Sequence, residues 1–161
     1  MYPKIIVPLD GSKLAECVFP HVESIAKGCG AAEISFIRVV ETARPPVGVE
    51  EGGSAMVEET MEKIRKRFED AGKKEANAYL DRIIRERRFP NVNLRKEVLV
   101  GHPADTIAGY GEKTGADLII IATHGLSGLS RWTMGSVADR VLRAACVPVL
   151  MVRVPGCVPG M

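Results

Sequence analysis

Aromatic residues are scarce in this chain, and its charges nearly balance. Only 5% of the 161 residues are aromatic, and the formal net charge is +2. Proteins that hold single-stranded nucleic acid stack its bases on aromatic side chains within a positively charged groove. The basic residues here are mostly interleaved with acidic ones and form no basic stripe. The composition therefore argues against a nucleic-acid partner.

Long hydrophobic runs are missing as well. The apolar run near the C-terminus, residues 147–152, is about a third of a membrane-spanning helix. At the N-terminus, five apolar residues precede Asp10, which is too short for the apolar region of a signal peptide, and no small-residue cleavage site follows. We therefore expect a cytoplasmic protein with no membrane partner.

Cysteine is present but not in a pattern typical of disulfide frameworks or metal sites. The four cysteines, Cys17, Cys29, Cys146 and Cys157, are widely spaced, and no two form a Cys-x-x-Cys pair. The three histidines do not supply the ligand spacing of a metal centre either. We predict reduced thiols, some of them buried as small apolar side chains, and no metal held by protein ligands.

What the chain does contain is an alternation of short apolar runs and longer segments of helical period. The runs predict five strands, at about 5–9, 34–40, 92–100, 118–122 and 147–154. The intervening segments predict helices at about 12–27, 56–87, 103–113 and 137–145, the first kinked or starting late because of Pro20. Such an alternation predicts an α/β fold, a doubly wound, Rossmann-like parallel sheet with helices on both faces. We expect one domain over 1–154 and a C-terminal tail over 155–161.

Two of the predicted strands differ clearly in their apolar pattern. Residues 92–100 alternate between apolar and polar, which is typical of a half-buried edge strand. Residues 118–122 are apolar on both faces, which indicates a central strand. In sheets of this class, ligands bind beyond the carboxyl ends of the strands, where the strand order reverses. The segments after Leu9 and after Ala122 are therefore the candidates to flank a ligand.

The segment after Ala122 is rich in glycine and hydroxyl groups. It contains Gly125, Gly128 and Gly135, and a helix is predicted to begin at Ser136. Glycines let the backbone approach a phosphate closely, and a helix N-terminus presents unpaired N–H groups to an anion. Arg131 adds a cation. The alternative is a solvated connection without a ligand, since neither standard phosphate fingerprint is present.

This segment resembles the adenine-nucleotide signature of the universal stress protein family, Gly-x2-Gly-x9-Gly-Ser/Thr. Gly125, Gly135 and Ser136 match it, whereas Ala122 stands in place of the first glycine. The resemblance extends along the chain through IIVPLDGS, FIRVVE, VGHPADTI and ACVPVLMVR. It implies the adenine-nucleotide alpha-hydrolase-like version of the fold, with strand order 3-2-1-4-5.

The resemblance also implies a set of ligand contacts. Pro8, Leu9 and Asp10 would line the adenine and ribose, and the backbone at Val39 would meet the adenine edge. N–H groups of Gly125, Gly135, Ser136 and Val137 would face the phosphates, which would bring Mg2+ with them. The full set of expected cofactor-binding residues is Pro8, Leu9, Asp10, Val39, Ala122, Thr123, His124, Gly125, Gly128, Arg131, Gly135, Ser136 and Val137.

The function that the resemblance implies is ATP binding, or AMP or ADP binding, by a regulatory stress-response protein without catalytic residues. One alternative is a nucleotide-hydrolysing or adenylating enzyme of the related group, which usually carries Ser-Gly-Gly-x-Asp-Ser after its first strand. This chain has only Asp10-Gly11-Ser12 there. Another is an interaction module that binds no nucleotide, because of Ala122. A phospho-acceptor receiver domain is excluded, since strand three ends in Val100-Gly101 without an acceptor aspartate.

A partner is also expected at the last strand. In the family's strand order this strand lies at one edge of the sheet, yet residues 149–152 are apolar on both faces. An exposed apolar edge invites pairing with another chain. We therefore predict a homodimer through residues 147–154, beside a protein partner whose identity the sequence does not indicate.

Overall fold

The computed structural model describes residues 1–42, 55–123 and 136–153, with the backbone alone for Ala55–Glu58 and Ser136. The strands are β1 Lys4–Pro8, β2 Glu33–Val40, β3 Asn93–Val100, β4 Leu118–Thr123 and β5 Val149–Arg153. The helices are α1 Phe19–Cys29, which a 3-10 turn over Ala15–Val18 precedes, α2 Ala55–Glu86, α3 Pro103–Thr114 and α4 Ser136–Ala144.

The five strands form one parallel sheet in the order β3-β2-β1-β4-β5. This confirms the predicted fold class and strand order. It places the strand over Leu118–Thr123 inside the sheet and the alternating strand over Asn93–Val100 at an edge, as their apolar patterns predicted.

Each face of the sheet carries its own apolar core. On one face, Ile5 and Val7 of β1 pack with Phe19 of α1 and with Leu80 and Ile83 of α2. On the other face, the core is formed by residues of the sheet together with α3 and α4, namely Ile6, Ile37, Ala104, Ile107, Ile119, Ile121, Ala138 and Val141. Helices therefore cover both faces, which is the doubly wound arrangement.

Proline decides two of the element boundaries. A 3-10 turn precedes α1, and the Ser12 hydroxyl accepts the Ala15 N–H of this turn at 3.1 Å. The α-helix itself starts only at Phe19, with Pro20 in its first turn. The predicted late start is therefore correct, and the alternative of a kink at Pro20 is not. The last strand begins at Val149, not at Val147 as predicted, because Pro148 lacks an N–H for the ladder and contributes only its carbonyl, to Ile119. Residues 154–161 lie outside the described part of the chain.

Helix α2 is confirmed, but its two halves differ in burial. Ala76, Leu80 and Ile83 are fully buried, whereas Met61, Ile64 and Phe68 are 40%, 43% and 68% exposed. The spacing of opposite charges in the sequence predicts three ion pairs along this helix, Glu62 with Lys66, Glu69 with Lys73 and Asp81 with Arg85, and of these Glu69 with Lys73 forms. The other two are wrong: Glu62 pairs with Arg65 instead of Lys66, and Asp81 reaches across to Lys96 of β3 instead of pairing with Arg85.

The two halves of α2 meet at Gly72. A Cβ atom at this position would lie 2.8 Å from Cγ1 of Val40, the last residue of β2. Two non-bonded carbon atoms do not approach so closely, and the β-branched Val40 side chain is stiff. Only glycine therefore allows the helix to cross the end of β2 at this distance.

We expect Gly72→Ala to destabilise the protein, although Gly→Ala within a helix ordinarily stabilises by about 0.5–1 kcal/mol. Gly109, in α3, is the matched control because a Cβ there meets nothing within 4 Å. Urea unfolding should show Gly109→Ala above and Gly72→Ala below the wild type. Val40→Ala in the Gly72→Ala background should recover part of the loss. A gain in stability for Gly72→Ala alone would contradict the close crossing.

Candidate functional site at the carboxyl edge of the sheet

The pairing of β1 with β4 ends before the carboxyl edge of the sheet, and we call the gap between the ends of these two strands the crevice. Among the described residues, β1 pairs with β4 at Ile5 and Ile6, whereas it follows β2 for five residues, as far as Pro8. Pro8 has no N–H to donate, and the next N–H, that of Leu9, goes to Ile37 of β2 at 2.9 Å. Strand β1 thus stays with β2 and leaves β4. The strand order reverses at this point, which is where ligands bind in sheets of this class.

One wall of the crevice is the turn after β1. The backbone N–H of Ser12 donates to Oδ1 of Asp10 at 2.8 Å, and Gly11 between them has φ +91°. Asp10 itself is exposed. Its carboxylate therefore shapes the turn through one oxygen while the side chain remains accessible from solvent. Asp10 can therefore hold this turn and still contact a ligand.

The other wall is the end of β4. Thr123 is 5% exposed, and its hydroxyl oxygen has no hydrogen-bond partner within the described part of the chain. A buried polar group without a partner costs about 1–3 kcal/mol, so such groups are rare. Ala122 beside it is half-buried. The orphan hydroxyl is therefore a contact that a ligand in the crevice can satisfy.

The structure brings together the predicted residues that it describes. Pro8 ends β1, with Leu9 and Asp10 directly after it, while Ala122 and Thr123 end β4. Val39 is half-buried near the end of β2 and packs on the face of α3 and α4. The start of α4 at Ser136 is confirmed, and Val137 is half-buried in its first turn. His124, Gly125, Gly128, Arg131 and Gly135 lie outside the described residues.

Sequence reasoning missed a residue that supports the turn, Arg38 of β2. A Cβ atom on Gly11 would lie 3.1 Å from the guanidinium carbon of Arg38, so the guanidinium lies directly against the turn. The same group donates to Glu75 of α2 at 2.9 Å and lies 5.4 Å from the ring centre of Tyr79. The sequence did contain a signal for this residue, since Arg38 is the one charge within the apolar run FIRVV.

Tyr79 lies between two cations. Arg82 approaches the ring from its own helix, 5.2 Å from the ring centre, and donates to Glu16 at 2.8 Å. Burial opposes the ionisation of Glu16, but hydrogen bonds from Arg82 and Lys13 outweigh it and lower the pKa of this carboxyl. Burial first, and then the negative charge of Glu16, raise the pKa of Tyr79 to about 12. The phenol therefore stays neutral in this network.

This shift predicts a loss of stability at high pH. In the unfolded chain a tyrosine ionises near pH 10. Between pH 10 and about 12 the folded protein therefore holds a proton that the unfolded chain has released, so the free energy of unfolding falls as the pH rises through that range. We expect a smaller fall in Tyr79→Phe, which lacks the proton. Urea unfolding of both proteins at pH 9 and pH 11 measures the difference. Equal falls would show that Tyr79 ionises normally.

Metal and membrane features are absent from the part of the chain that the structure describes. No group of three or more His, Cys, Asp or Glu side chains there could hold a metal ion. No described helix is long and apolar enough to cross a membrane. Cys17, Cys29 and Cys146 are free thiols, but Cys17 and Cys29 are only half-buried and Cys146 is exposed, so none of these three is the buried thiol that was expected. Cys157 lies outside the described residues.

Comparison with known proteins agrees with this architecture. Residues 1–153 match the model of the universal stress protein family. The chain belongs to the universal stress protein family. Universal stress protein MJ0531 of Methanocaldococcus jannaschii is 35% identical to it over 156 residues, which span 96% of this chain and 84% of the relative.

Solved structures of the family have the same fold. The structure of protein MJ0577, from the same archaeon, covers 97% of this chain and 99% of its own, with TM-score 0.74 and 26% identity. A universal stress protein from Arabidopsis thaliana, solved with AMP bound, covers 95% and 92% with TM-score 0.57 and 13% identity. This second likeness concerns the fold alone.

Proposed function

We propose that this chain binds an adenine nucleotide, ATP or else AMP or ADP, in the crevice between β1 and β4. The observation that carries the proposal is the orphan hydroxyl of buried Thr123 at the end of β4, at the edge of the sheet where the exposed Asp10 follows β1. The fold family supports the choice of nucleotide, because the Arabidopsis member holds AMP. The signature residues Gly125, Gly135 and Ser136 add the phosphate contacts that the resemblance implies.

The described residues fit such a ligand in their chemistry. A carboxylate suits ribose hydroxyls, and the first turn of α4 has backbone N–H groups without helical partners, which suit phosphates. Mg2+ would enter on the phosphates, since the described side chains form no carboxylate cluster for it. Ala122 adds one methyl group where the family signature has glycine, and we propose that the crevice accommodates it.

We propose a regulatory and not a catalytic role. At the described ends of β1 and β4 the one carboxylate is that of Asp10, which we assign to the ribose hydroxyls. A general base must lie within hydrogen-bond reach of the attacking water, which would be at the phosphates. Nucleotide occupancy would instead change the surface that a protein partner meets, within a cytoplasmic stress response.

Thr123→Val tests the site, because it removes the hydroxyl and keeps the shape. We expect Mg-ATP affinity to fall by about 1 kcal/mol, roughly fivefold, since one hydrogen bond is lost. The free energy of unfolding should stay level or rise, because an unpartnered buried hydroxyl has gone. Calorimetry measures the affinity, and urea unfolding measures the free energy of unfolding.

The absence of catalysis is tested in the same samples. We expect ADP to be released from ATP far more slowly than about 1 per second, the lower end of ordinary enzyme turnover.

The matched control is Thr114→Val. Its hydroxyl donates to the Tyr110 carbonyl at 2.7 Å at the end of α3, beside Lys4 at the opposite edge of the sheet. This variant should bind Mg-ATP like the wild type. Gly135→Val, which blocks backbone approach to the phosphates, should weaken binding sharply with little loss of fold. Wild-type protein that binds no nucleotide at millimolar concentration would refute the proposal.

We also propose a homodimer through β5. The strand lies at the edge of the sheet, and Val149, Leu150 and Met151 remain only half-buried. The Ile119 N–H donates to the Pro148 carbonyl, so the parallel ladder directs the N–H of Leu150 and Val152 to β4. The N–H of Met151 then points to the open side. Two copies related by a two-fold axis could join these open sides in an antiparallel pair.

Met151→Pro removes a hydrogen-bond donor on the open side and leaves the ladder to β4 intact. We expect this variant to have half the mass of the native particle in light scattering. The control is Met151→Val, which keeps the N–H and should retain the native mass. A native particle that is already monomeric, or a Pro variant of unchanged mass, would rule out pairing through this edge.

A further inference from the structure

The N-terminal half of α2 is exposed where the structure describes its side chains. Every residue from Glu59 to Phe68 is exposed, over nearly three turns, and the helix lies against β2 from Gly72 onward, at Gly72 itself and through Glu75 and Tyr79. At a rise of 1.5 Å per residue, the part before Gly72 extends roughly 25 Å. Most of the stability of a helix in a protein comes from the packing of its apolar face. A surface that covers this segment would therefore stabilise it.

One side of this segment is apolar. Met61, Ile64 and Phe68 are 40%, 43% and 68% exposed, and spacings of three and four residues place them on one face. We call these three residues the α2 stripe. Alternating spacings of three and four are those of a seam between two paired helices. The stripe is therefore shaped for another helix.

The charges beside the stripe have a definite order along the helix. Glu59 and Glu62 come first, and the basic run Arg65, Lys66 and Arg67 follows. Within one chain, Glu59 pairs with Lys63 and Glu62 pairs with Arg65, each at 2.6 Å, and these side chains remain more than half exposed. The segment is acidic toward its start and basic toward its end, so it complements itself when one copy is reversed.

We propose that the α2 stripe binds the same segment of a second copy of this chain, with the two helices antiparallel. A two-fold axis near residue 63 places Met61 of one copy beside Ile64 of the other. It also places Glu59 near Lys66 of the other copy, twice by symmetry. A parallel pair would set like charges opposite each other and is disfavoured. Since α2 packs on β2 and β3, at the opposite side of the sheet from β5, this contact leaves the β5 edge free.

The experiment exchanges the charges of one block at a time. The acidic block is reversed by Glu59→Lys with Glu62→Lys, and the basic block by Arg65→Glu with Lys66→Glu. Each variant alone faces its own copy with like charges, so we expect half the wild-type mass by light scattering at low salt. Mixed in equal amounts, the two variants should regain the wild-type mass, because each restores the charge that the other lost.

Two controls keep the result interpretable. Lys74→Glu with Arg85→Glu makes the same change in net charge as the basic-block variant, but on the packed half of α2 at two exposed positions, and should leave the mass unchanged. Phe68→Ser should lower the mass without charge reversal, and circular dichroism verifies that each variant remains folded. Folded variants that keep the wild-type mass would overturn the proposal. So would a mixture that does not recover it, or a wild-type particle that is monomeric at micromolar concentration.

Discussion

The central strand β1 has two neighbours to pair with, and it pairs fully with only one of them. Its ladder with β2 runs to Pro8, while its pairing with β4 ends at Ile6. The missing N–H of Pro8 and the bond from Leu9 to Ile37 fix this choice. The chain also leaves β1 and β4 toward opposite faces of the sheet, because the helices after β1 and β2 cover one face and those after β3 and β4 cover the other. The crevice follows from the backbone before any side chain is considered.

Most of this architecture could be predicted, because apolar periodicity reports burial directly. The double-sided apolar run of β4 indicated a central strand, and the alternation over residues 92–100 indicated an edge. The strand order came from the family resemblance, since periodicity does not specify which strands are neighbours. The family match over residues 1–153 and the parallel sheet agree with it.

What could not be predicted depends on contacts between distant parts of the chain. The period of α2 is continuous, yet only its second half meets the sheet, because β2 ends at Val40 beside Gly72. Asp81 likewise pairs with Lys96 of β3 and not with Arg85 of its own helix, because this half of α2 packs on the sheet. Arg38 looked like a charge out of place in an apolar strand. Its surroundings, a glycine from one turn and a tyrosine from a helix 41 residues later, exist only in the fold.

Arg38 also connects the turn after β1 with helix α2. Its guanidinium lies against Gly11, too close for a side chain between them, and is held on α2 by Glu75 and by the ring of Tyr79. A ligand that shifts the turn after β1 must therefore displace Arg38 or move with it. Glu75 and Tyr79 belong to the packed half of the helix whose other half carries the α2 stripe. A ligand can bias assembly only if it binds two arrangements with different free energy. Helix α2 carries the stripe and also holds Arg38 beside the turn, so any such difference would be expressed in the position of α2.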